Sequence, residues 1–109
     1  MANTLKVLSQ TNPLAATLTD SYTVPGATSA AISSIMVCNR SGTATTFRLS
    51  LAVAGAADNN IQYIAYDVPI SGNDTIAFTV GVTLAATDVV RVYATLATLS
   101  FNVLGVEVT

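Results

Sequence analysis

Thr45-Thr46-Phe47-Arg48-Leu49-Ser50-Leu51-Ala52-Val53 alternates between two kinds of side chain. Phe47, Leu49, Leu51 and Val53 fall in one phase, and Thr46, Arg48, Ser50 and Ala52 in the other. Successive side chains of a strand point to opposite faces of a sheet, so this stretch predicts a strand with one face buried. The same period runs through Ile76, Phe78 and Val80 in Asp74 to Val80. It recurs through Val90, Val92, Ala94 and Leu96 in Val89 to Leu96. Ala30 to Asn39 is apolar in both phases, with Ile32, Met36 and Cys38 in one and Ile35 and Val37 in the other. That pattern predicts a central strand covered on both sides, one of them inside an oligomer. Ile61 to Val68 continues the series up to Pro69. Leu99 to Val108 closes it with Leu99, Phe101 and Val103, then Val106 and Val108, a change of phase at Gly105 that predicts a bulge.

Turn chemistry separates these runs at Pro25-Gly26, Ser41-Gly42, Gly55 to Asn60, Ser71 to Asp74, Gly81 and Thr87-Asp88. A turn signal about every ten residues is the rhythm of an all-β chain. Helical spacing occurs only around Val82 to Ala86, too short a piece to hold a helix. The fold class is therefore all-β, a single-domain antiparallel β-sandwich of about eight strands. Eight strands suit a jelly roll, and the immunoglobulin-like sandwich of seven is the alternative. Residues 14–109 form the sandwich. Residues 1–13 carry the short run Leu5-Lys6-Val7-Leu8 and the polar stretch Ser9 to Pro13, and read as an N-terminal arm. Such an arm pairs with an edge of its own sheet or with a neighbouring subunit.

Composition narrows the function. Hydrophobic residues make up 51% of the 109, ample for a core and incompatible with disorder. Charged residues are only 9%, against about 25% in an average globular chain. A surface so neutral loses little solvation when a partner covers it. Lys6, Arg40, Arg48 and Arg91 are scattered and the net charge is −2, so no electrostatic footprint for nucleic acid exists. The longest uncharged stretch, Ser21 to Asn39, is broken by Pro25 and Gly26, and no membrane span is expected. Met1 to Lys6 lacks the features of a secretion signal, so synthesis in a cytoplasm is expected.

The chain has no His and one Cys, which removes imidazole bases, imidazole metal sites and Cys/His dyads. Cys38 lies in the apolar run Ile35 to Cys38 and is expected to be a buried core thiol. Paired carboxylates remain, from Asp20, Asp58, Asp67, Asp74, Asp88 and Glu107. Asp20, Asp58, Asp74 and Asp88 stand beside turn residues and are expected to bind local backbone amides. Asp58-Asn59-Asn60 offers too few oxygens for calcium. No catalytic, cofactor or metal residue is assigned, and the protein is not expected to be an enzyme. Asp67 follows Tyr63 and Tyr66 within a strand, and Arg48 and Arg91 also lie within strands. Cross-strand Arg/Asp pairs account for them, or a partner interface does, since Tyr and Arg concentrate there. Leu5, Val7, Arg48, Tyr63, Tyr66 and Asp67 are the candidate interface residues.

Leu18-Thr19-Asp20-Ser21-Tyr22-Thr23-Val24-Pro25 and Ala31 to Arg40 resemble small virion proteins of tailed bacteriophages. The likeness continues through Tyr63-Ile64-Ala65-Tyr66-Asp67, Leu84 to Ala94 and Gly105 to Thr109. This resemblance implies a non-enzymatic β-sandwich structural protein of the virion, made in the host cytoplasm. The expected role is a capsid decoration or cement subunit that braces the major capsid protein as a homo-oligomer, a trimer, without cofactor. A tail, neck or fibre position is one alternative. A carbohydrate-binding module with Tyr22, Tyr63, Tyr66 and Tyr93 as platforms is another, weakened by the absence of Trp.

Overall fold

A computed structural model describes residues 2–79 and 81–109. One sheet holds β1 (Asn3–Thr11), β9 (Leu99–Val108), β3 (Ser29–Asn39) and an edge divided into β6 (Thr75–Phe78) and β7 (Val82–Leu84). The other holds β2 (Thr19–Thr23), β8 (Val89–Ala94), β4 (Thr45–Ala52) and β5 (Tyr63–Ile70). Every strand pair is antiparallel. With β6 and β7 counted as one interrupted strand, the first strand pairs the last, the second the next to last, and so inward to β4 and β5. This nested ribbon, wrapped so that successive pairs fall in alternate sheets, is the jelly roll.

The alternating residues fill the space between the sheets. Phe47 and Leu49 of β4 and Val90, Val92 and Ala94 of β8 face Ile35 and Val37 of β3 and Leu99, Phe101 and Val103 of β9, all fully buried. Phe47 stands edge-on to Phe101 and Phe78, with ring centroids 6.1 and 5.7 Å away. Each such side chain contributes about 1.5–3 kcal/mol by burial, whereas a surface ion pair contributes about 0–1. The core, not the charges, holds the sandwich together.

Several boundaries differ from the sequence expectation. The strand from Thr45 ends at Ala52, because Ala54 adopts a left-handed conformation in a short 3-10 turn and leaves Val53 exposed. The next strand starts at Tyr63, after a second such turn, and runs through Pro69; on the edge strand β5 a missing N–H costs no ladder bond. Val82–Leu84 is a strand. Leu96 lies past the end of β8. Val80 lies outside the described residues.

The change of phase assigned to Gly105 belongs to its neighbours. β9 runs without interruption, while Leu8 of β1 and Ser33 of β3 are the extra residues. The bulge at Ser33 brings Ile32 into the core phase with Ile35 and Val37, and turns Met36 and Cys38 outward, half-buried. Cys38 is therefore not a core thiol. Gly105 is required for a different reason: a Cβ there would run into the Ala31 carbonyl and the Ile32 Cα. The first residues, expected as an arm, include β1, which pairs with β9 of its own sheet from Asn3 to Thr11.

Candidate functional site

The six candidate residues fall on opposite outer faces of the sandwich. Leu5 and Val7 lie on the sheet containing β1, β9 and β3, in register with Val106 and Leu104. Val106 in turn stands opposite Ala31. Leu5 is 85% exposed and Val7 51%. Among the described residues, the outward phase of β1, β9 and β3 contains no charged side chain. Lys6 lies in the opposite phase and remains exposed, its Nζ 2.9 Å from Glu107 Oε1.

Arg48, Tyr63, Tyr66 and Asp67 come together on the outer face of β4 and β5. Between the pairs Phe47↔Val68 and Leu49↔Ala65, β4 has one residue and β5 has two, so Tyr66 and Asp67 both stand opposite Arg48. Asp67 takes a positive φ of 50° to make this bulge, a conformation that Asp tolerates better than most residues. Arg48 Nε donates to Asp67 Oδ1 at 2.7 Å. The guanidinium lies between two rings, 4.2 Å from the centroid of Tyr66 and 4.4 Å from that of Tyr93. The hydrogen bond to Asp67 holds the Arg48 pKa above its ordinary value, so the cation persists.

The row continues outward. Tyr63 meets Tyr66 edge-on at 5.0 Å and donates its hydroxyl to Asp58 Oδ1 at 2.8 Å. Partial burial, and then this bond, push the Tyr63 phenol up. Asn60, Tyr63 and Tyr66 line a shallow cavity of about 450 Å³. The segment 53–62 folds back over the same sheet, because Arg91 donates to the Ala56 and Gly55 carbonyls and Asp88 accepts from the Ala54 N–H. Arg91 also pairs with Asp20 across β2 and β8 at 2.9 Å.

The remaining carboxylates have ordinary partners. Asp74 and Asp88 accept from local amides, Thr75 and Ala85. Asp20 and Asp58 instead meet side chains. Glu107 accepts the Tyr22 hydroxyl at 2.6 Å, and Tyr22 is buried between the sheets, so it is no surface platform. Tyr22 and Lys6 hold the Glu107 carboxyl below its usual range, while burial and Glu107 push the Tyr22 phenol well up. Tyr93, which the interface reading omitted, was detectable: it shares the outward phase of β8 with Arg91, as Arg48 does in β4. No protein-family model matches the chain, and no curated protein matches it.

Proposed function

We propose that this protein is a non-enzymatic structural subunit of a tailed-bacteriophage virion, a decoration or cement protein that braces the major capsid protein. The observation that carries the reading is the outer face around Leu5 and Val7, both exposed, and the half-buried Leu104 and Val106, which among the described residues carries no charged side chain. Covering it with protein desolvates no charge, and the exposed apolar area is of the kind that marks an interaction surface. The sequence resemblance supplies the setting. Quantitative mass spectrometry of purified particles tests it. Copies in proportion to the capsid protein support decoration, copies sufficient only for a few rings move the subunit to tail or neck, and absence from the particle removes the proposal.

The tyrosine row favours a second reading, recognition of a saccharide. Tyr66 is 56% exposed, and its neighbours Asn60 and Asp58 provide hydrogen-bonding groups beside an apolar ring. A glycan array with the native chain and Tyr66→Ala decides: binding lost in the variant supports it, and silence of the native chain rejects it.

A further inference from the structure

The edges of the two sheets are unequally protected. β5 carries two bulges, a left-handed Asp67 and Pro69. The opposite edge of the first sheet is divided between β6 and β7, and β2 has five residues with an irregularity at Ser21. Bulges, prolines and short strands are the devices that keep a sheet edge from pairing with another chain. The first five residues of β1, Asn3 to Val7, are regular and paired with β9 in unbroken register, and of the protecting devices carry only a lysine, Lys6, whose charge is paired with Glu107.

The hydrogen-bond phase of that edge follows from its start. Ala2 and Thr109 exchange both backbone bonds, at 3.0 and 2.9 Å. In an antiparallel ladder bonded and non-bonded pairs alternate, so Thr4 and Lys6 spend their amides and carbonyls on β9. Asn3, Leu5 and Val7 then aim theirs outward, away from the sheet. Their side chains lie on the uncharged outer face.

We propose that β1 is the site at which two copies of this chain join, antiparallel across a two-fold axis at Leu5. Leu5 then pairs with Leu5 of the second copy, and Asn3 with its Val7, in bonded pairs on the free edge. The two β1-β9-β3 sheets become one continuous sheet. A second copy is the occupant this edge fits, because the edge is complementary to itself: the same three residues present donors and acceptors symmetrically about Leu5. Lys6 meets Thr4 of the other chain, not a second Lys6, so no like charges face each other. The two Leu5 and Val7 side chains extend the apolar face that Leu104 and Val106 begin. This pairing does not rest on where the protein acts.

Sedimentation equilibrium of the full chain, together with amide exchange by NMR, tests it. At about 200 µM the expected mass is twice 11.2 kDa, and the Leu5 amide exchanges about tenfold more slowly than in dilute solution, while the Thr4 and Lys6 amides are protected at both concentrations. Leu5→Pro removes one outward N–H and none of the β1–β9 bonds, and Leu5→Glu places two carboxylates together at the axis. Both are expected to be folded monomers. A native chain that stays monomeric, a trimer, or a dimer that both variants leave intact overturns the proposal.

Discussion

On the outer face of β1, β9 and β3 the large exposed side chains are the aliphatic Leu5 and Val7, set among uncharged Asn, Gln and Ser side chains, with outward backbone groups along the edge of β1. On the outer face of β4, β5 and β8 the backbone edge is spoiled by bulges, and a row of tyrosines clasps Arg48 beside the exposed Val53, Ile61 and Ile64. The first is a surface defined by main chain and shape, suited to another sheet. The second is defined by side chains and tolerates no strand beside it. One core supports both, so the faces can be separated by substitutions that leave the core alone.

The largest effect is expected at the support of the aliphatic face. Gly105→Ala forces a methyl group against the Ala31 carbonyl and should lower unfolding free energy by about 3 kcal/mol in urea titration. Arg48→Ala removes the stack on Tyr66 and Tyr93 and the Asp67 pair, at a cost of about 1–2 kcal/mol. Arg48→Lys should recover little of it, because an ammonium cannot lie flat between two rings.

The pH dependence distinguishes the group around Glu107 from the Arg48–Asp67 pair. The folded Glu107 carboxyl is held below its usual 4.5, so its contribution is present above that pH and is lost as pH falls through the folded value. The raised Tyr22 phenol contributes below its usual 10.0 and loses that contribution as pH rises towards the folded value. Tyr22→Phe should therefore flatten both limbs of a curve of urea midpoint against pH, an effect no change at Arg48 reproduces. Asp67→Asn keeps a residue at ease in the left-handed conformation and breaks only an exposed pair, so a loss of about 0.5 kcal/mol is expected. Leu5→Ser should change monomer stability by less than about 0.5 kcal/mol, since the side chain is exposed, while weakening association.

The architecture was legible where one face of a strand is buried. Phe47 and Leu49, and Val90 and Val92, follow the alternation, which breaks at Ser50 and Ala52, both buried; strand number and turns suited a jelly roll but left the immunoglobulin-like sandwich open until the pairing of strands was known. Bulges were harder. Ser33 shifts the phase of β3 because β9 must approach closely at Gly105, and nothing local to Ser33 announces that. The same limit applies to the candidate residues. Leu5, Val7, Arg48, Tyr63, Tyr66 and Asp67 could be picked by type, but their separation onto two faces depends on strand order. The clasp at Arg48 depends on two residues of β5 standing opposite one of β4, and periodicity does not reveal pairing. Tyr22 shows the reverse case, a tyrosine made interior by a carboxylate 85 residues away.

The most direct test of the division between the faces is a density map, at side-chain resolution, of the assembled particle containing this chain. Protein packed against Leu5, Val7, Leu104 and Val106, with Tyr66 and the Arg48 clasp open to solvent, is the expected result. A map in which the aliphatic face is bare and the tyrosine row is buried against the particle would contradict it.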